Sequence, residues 1–290
     1  MLDLLPQNWL FPAIAFAVSV IGSFLGLSFA ARARRAKGLV RWQWLAPAAL
    51  ALGGVAVWSM HFIAIMGFSI PGVSIRYDTP LTVVSGIIAV ALMAAALAVT
   101  IVRRSLPWLM GGGVIAGAGI IAMHYAGIHA MHVHGRIHHD PLYVALACAV
   151  ALVAATTALW CASRLRGLRA ISAASVVMAV AATSMHYTGM VGVRVEEPSF
   201  PSLGTPDGTT AADLALPLIV GLFVFMLICS LFLLLGEEEE RPSYARRAAH
   251  AAPPGSENGR STASPDYVPR HAGAAPLTPT DADDVWRPRR

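Results

Sequence analysis

The sequence has little charge, almost no cysteine and no recognisable catalytic motif. Only 13% of its 290 residues are charged and 56% are hydrophobic, whereas a water-soluble domain carries about twice that charge. That excludes an ordinary soluble globular domain. Cys148, Cys161 and Cys229 all lie inside apolar segments without CxxC spacing, so they read as small buried residues and not as a disulfide framework or thiolate ligands. No nucleophile, acid–base pair or phosphate loop stands out, and the chain is not expected to be an enzyme. The start, Met1-Leu2-Asp3-Leu4-Leu5-Pro6, lacks the basic region of a secretory signal. The long apolar run behind it reads as a retained first span.

What is there is apolar sequence in blocks of roughly 20 residues or more, the length that crosses a bilayer as a helix. Seven spans are predicted, at about 9–30, 42–68, 80–102, 107–130, 142–163, 170–192 and 213–235. The expected fold is an all-α membrane protein of seven transmembrane helices in a lipid bilayer. The net charge of +5 comes from short loops and reads as topology, with no nucleic acid implied. One set of connections holds thirteen basic residues: Arg32, Arg34, Arg35, Lys37, Arg41, Arg103, Arg104, Arg164, Arg166, Arg169, Arg241, Arg246 and Arg247. The other holds three, Arg76, Arg136 and Arg194. The positive-inside rule then predicts the N-terminus outside and the C-terminus in the cytoplasm. Residues 236–290, rich in Ala, Pro, Ser and Arg with few large apolar side chains, are expected to form a disordered cytoplasmic tail.

One stretch is written three times: Met60-His61-Phe62, Met123-His124-Tyr125 and Met185-His186-Tyr187. The spacings, 123 − 60 = 63 and 185 − 123 = 62 residues, mark an internal repeat. Each pair lies near the outer end of spans two, four and six, so the three histidines are expected at one depth. The membrane domain, 1–235, divides into three parallel helix-pair repeats at about 42–102, 107–163 and 170–235, with span one as an N-terminal extra helix. That arrangement suggests a pseudo-threefold axis along the membrane normal.

Ionisable residues inside a span point to function. Imidazole with thioether is a donor set that suits copper, thioether favouring Cu(I). The three histidine-bearing spans contain no Asp or Glu, which argues against calcium or magnesium. Met190 follows His186 by four residues and shares its helix face, while Ile65 and Ile128 hold the corresponding places after His61 and His124. The external stretch with His129, His132, His134, His138 and His139 is a secondary candidate for metal, Tyr125, His129 and His132 forming an i, i+4, i+7 stripe. Beside these stand plainer readings: histidines as interhelical hydrogen-bonding groups, methionines as gap-filling core, and Gly67, Gly127 and Gly189 as points of close helix approach.

Ala122-Met123-His124-Tyr125-Ala126-Gly127 and Ser184-Met185-His186-Tyr187-Thr188-Gly189-Met190, with Trp58-Ser59-Met60-His61-Phe62-Ile63 as a first-repeat variant, resemble the MHYT domain over residues 9–235. The resemblance implies a bacterial plasma-membrane sensor with copper near the outer face, perceiving O2, CO, NO or redox state. It carries over Met60, His61, Met123, His124, Met185, His186 and Met190 as ligands. Family members are often fused to cyclic-di-GMP enzymes, kinases or DNA-binding outputs. No such domain is visible here, so a cytoplasmic signalling partner in trans is expected. Ile65 and Ile128 depart from the family pattern and thin the methionine shell. The rival readings are a membrane haem or redox protein with two of the histidines as axial ligands, and a copper-handling protein or permease.

Overall fold

The computed structural model describes residues 9–68, 75–133, 135–196 and 206–251. His134 and residues 252–290 lie outside them. Among the described residues, seven helices are long and apolar enough to cross a membrane: α1 Leu10–Arg35, α2 Gly38–Met66, α3 Thr79–Arg103, α4 Leu106–His129, α5 Pro141–Arg164, α6 Leu168–Val191 and α7 Ala211–Ala251, with its apolar part at Ala211–Phe232. Their starts follow local chemistry. Asp78 caps α3 by accepting from the Leu81 N–H at 2.9 Å, and Asp140 caps α5 through the Leu142 N–H at 2.9 Å. Each cap is followed by a proline in the first turn, where a missing N–H costs nothing.

The helices form a closed ring in the order α1–α2–α3–α4–α5–α6, with α1 packed against both α2 and α6. In chain order the third repeat pairs α6 with α7. In space α1 takes the place between α6 and α2, while only 6% of the α7 window is buried, against 44% for α1. Small residues explain the choice. A Cβ on Gly22 would meet the Ala56 nitrogen at 2.6 Å, Gly26 abuts Leu52, and Ser19 Oγ donates to the Ala56 carbonyl at 2.8 Å. The Gly22-x-x-x-Gly26 spacing thus brings two backbones together, as small residues do between membrane helices.

Within α2, Leu50–Ser59 is π-helical and returns to α-helix at Met60. Pro47 inside the helix removes one backbone donor, and Ser59 Oγ bonds the Gly54 carbonyl five residues back at 2.9 Å. This irregular turn leads directly into Met60-His61. Such turns are rare and gather at functional sites.

On the histidine side, two short antiparallel pairs tie the connections together. β1, Arg76–Tyr77, pairs with β2, Met131–His132, and β3, Arg136–His139, pairs with β4, Val193–Glu196. A bridge between Tyr77 and Thr209 adds a third tie. The compact body ends at Gly236, and Glu237–Arg290 is a separate unit. Its described part, residues 237–251, is helical. Glu, Arg and Ala are good helix formers, and this stretch is rich in them.

Candidate metal centre

Helices α2, α4 and α6 each carry one Met-His pair inward, and the three imidazoles meet on the bundle axis. His61, His124 and His186 are each 1% exposed. His61 Nδ1 lies 2.9 Å from His186 Nδ1 and 3.2 Å from His124 Nδ1. Ring centroids are 4.8, 4.9 and 5.4 Å apart, with the planes nearly edge-on to one another. The aromatic residue of each repeat braces its histidine from outside, Tyr125 against His124 and Tyr187 against His186, both at 4.9 Å. The repeated tripeptide is thus one local unit.

Hydrogen bonding alone does not satisfy this arrangement. One nitrogen, His61 Nδ1, stands in both contacts. A neutral imidazole nitrogen is either one donor or one acceptor, so it serves one neighbour well and the other poorly. A cation resolves the conflict, because all three nitrogens can then present lone pairs to it. The three ligand atoms lie within 4.8 Å of one another. With metal–nitrogen bonds of about 2.0–2.1 Å, separations of 2.9 and 3.2 Å subtend angles of about 90° and about 100° at a common ion. Three buried histidines brought this close could hold a metal ion.

The outer nitrogens of two of these rings are equally distinctive. Nε2 of His61 and of His124 are buried without a hydrogen-bond partner. The first faces Gly127 and the second Gly189, so closely that a Cβ at either glycine would strike the ring. Each glycine belongs to the next repeat, so each repeat seats the histidine of the one before it. The first repeat has Ala64 at the equivalent place, three residues after His61. The sequence signalled close approach at Gly127 and Gly189, but not that the approaching group is a candidate ligand.

The methionines divide into two layers. Met60, Met123 and Met185 line a cavity of about 40 Å³ together with His61, His124 and His186. Met190 lies one turn further out in an apolar cluster with Ile65, Ile128, Phe62 and Tyr77. The three positions that follow the histidines by four residues, Ile65, Ile128 and Met190, therefore share one plug between the imidazoles and the strand pairs.

The histidines at the end of α4 and in the segment that follows it are not brought together in the same way. The expected helical stripe through His132 is corrected: α4 ends at His129, and His132 belongs to β2. Backbone pairing with Arg76–Tyr77 ends the helix there. His132 Nδ1 donates to the Asp207 carbonyl at 2.9 Å, His129 and His138 are exposed, and His134 lies outside the described residues. Among the described residues, the only group of three or more ligand-type side chains placed to hold an ion is His61, His124 and His186. His139 lies 5.5 Å from the Tyr125 ring. Burial holds its pKa below the ordinary value of 6.5, and His138 and His129 push it the same way.

Two segments, 54–113 and 117–175, match the MHYT family, described as a bacterial signalling protein N-terminal repeat. Both matches begin seven residues before a histidine of the triad, 61 − 54 and 124 − 117. The chain is an MHYT-repeat membrane protein. It is 38% identical over 200 residues to the bifunctional diguanylate cyclase/cyclic di-GMP phosphodiesterase MucR of Pseudomonas aeruginosa, covering 67% of this chain and 29% of that protein. It is 34% identical over 203 residues to the cyclic di-GMP phosphodiesterase NbdA of the same organism, covering 67% and 25%. An uncharacterized signaling protein of Caulobacter vibrioides is 32% identical over 215 residues, covering 74% and 26%. The MHYT chain spans less than a third of the length of each of these relatives. No solved structure matches it.

Proposed function

We propose that this MHYT chain is the sensing part of a bacterial membrane signalling system, with one copper ion held by Nδ1 of His61, His124 and His186. The observation that carries the reading is the meeting of three buried imidazole nitrogens at 2.9 and 3.2 Å. Met60, Met123 and Met185 in the same cavity add soft donors, which favours copper over harder ions. Copper would supply a centre that responds to redox state or to a diatomic gas. About 40 Å³ is room for one small molecule, since a water occupies about 30 Å³ of liquid. Met190, in the plug, seals the outer side. The same contacts disfavour haem, because axial imidazoles stand on opposite faces of a porphyrin and these rings touch.

The output is a cytoplasmic signalling step, and relatives named for cyclic-di-GMP turnover make cyclic-di-GMP chemistry the preferred candidate. Copper analysis of the purified protein, with its visible spectrum, tests the reading. We expect about one copper per chain and none above background after His61→Ala/His124→Ala/His186→Ala. Equal copper in both proteins, or a Soret band, refutes it.

A further inference from the structure

At the opposite end of the bundle from the histidines lies a larger cavity, of about 500 Å³. Five guanidinium groups line it, those of Arg34, Arg35, Arg104, Arg164 and Arg166, with Thr100 in its wall. No Asp or Glu is among its described lining residues. Part of this charge has a structural use. Arg34 Nη2 donates to the Leu165 carbonyl, and Arg104 Nη2 donates to the Arg34 carbonyl at 2.6 Å, so two arginines satisfy carbonyls at the ends of α1 and α5. Arg104 does so from a left-handed backbone, φ 51°, the one non-glycine residue with positive φ among those described. That conformation closes α3 as its C-cap, with the Arg104 N–H donating to the Thr100 carbonyl.

The remainder is not explained by capping. Arg35, Arg164 and Arg166 are exposed at the cavity mouth, with no hydrogen bond or ion pair among the described residues. Deeper in, Arg34 Nε and Thr100 Oγ1 are buried without partners. Unmatched donors inside and unmatched cations at the rim call for the same missing species, an acceptor-rich anion. Guanidinium forks suit phosphate oxygens specifically. Below the arginines the wall is apolar, with Ile101, Leu109 and Trp160. Basic pockets between membrane helices take phospholipid head groups on this pattern.

We propose that this cavity is a binding site for a phosphate group, supplied either by an anionic phospholipid or by a soluble phosphorylated molecule. It is independent of the metal reading, because none of its residues touches the histidine layer. Native mass spectrometry of the full chain, released from nanodiscs of mixed phosphatidylglycerol and phosphatidylcholine, tests it. We expect at least tenfold preferential retention of one phosphatidylglycerol. The preference should vanish in Arg35→Gln/Arg164→Gln/Arg166→Gln, and persist in Arg76→Gln/Arg136→Gln/Arg194→Gln, which removes equal charge from the other side. A second arm measures thermal stability in neutral detergent with inorganic phosphate. Stabilisation of the wild type but not the first triple variant, without a lipid preference, assigns the phosphate to a soluble source and keeps the site. The proposal fails if neither probe distinguishes the wild type from that variant, with both shown folded by circular dichroism.

Discussion

Substituting Gly127 by alanine places a methyl group where the His61 ring now lies. Besides Nε2, His61 Cδ2 would be 3.0 Å from the new carbon, well inside ordinary contact. The ring has nowhere to withdraw, since its far edge is engaged at 2.9 and 3.2 Å by the other two imidazoles. Overpacking of this kind costs about 1–3 kcal/mol, and in a helix it is partly offset by up to about 1 kcal/mol gained on replacing glycine by alanine. Gly111 supplies the control. It lies in the same helix, but a Cβ there would meet nothing within 4 Å, so Gly111→Ala should show only the gain. We expect Gly127→Ala to be about 2 kcal/mol less stable than Gly111→Ala. That is a fall of roughly 4–8 °C in melting temperature, on the scale that holds for soluble domains of this size. Because the displaced group is a candidate ligand, copper affinity should fall as well, by about 10–100-fold if the effect matches loss of ligand support elsewhere. Gly189→Ala should act the same way through His124. Melting in detergent and copper titration read both effects. If Gly127→Ala melts with Gly111→Ala and binds copper as tightly, the glycine is not a seat for the histidine.

Other consequences are equally direct. Asp78→Ala removes the cap of α3 and should cost about 1 kcal/mol, seen as a lower melting temperature with unchanged metal content. Gly22→Ile would drive α1 off Ala56 and should lower stability more than the cap does, by about 1–3 kcal/mol, with faster proteolysis of α1 as the readout. His139 is held neutral by burial, its pKa below 6.5, so the folded state binds fewer protons than the unfolded one as pH falls below 6.5. Stability should therefore decline on acidification, and His139→Gln should flatten that decline in melting curves between pH 7 and pH 5. Reporter fusions at the two ends should be active outside for the N-terminus and inside for the C-terminus, as the loop arginines predict.

The spans were legible because composition alone sets a membrane helix, and their observed ends lie within a few residues of those read from the chain for the first six helices. The depth of His61, His124 and His186 followed from counting along those helices. What the sequence concealed is non-local. That α1 closes the ring depends on which of two peripheral helices fits against Ala56 and Leu52, a matter of surface shape. The π-helical turn before Met60 has its local signals in Pro47, Gly53 and Gly54, but these do not specify its length. His186 and Met190 share a helix face, and one turn of rise places Met190 beside Ile65 and Ile128 in the plug. The strand pairs on the histidine side of the bundle are two to four residues long and have no periodicity to detect.

The ring closed by α1 also bears on how the molecule is made. Helix α1 precedes the three histidine-bearing helices in the chain, yet one of its two flanks is completed only by α6, more than 130 residues later. Until α6 is inserted, the glycine face of α1 can engage α2 alone and the histidine layer lacks His186. Contacts so distant in sequence form late and slowly. During synthesis the growing chain therefore holds an open bundle with two imidazoles exposed to whatever else is present, and copper encountered at that stage would meet an incomplete site.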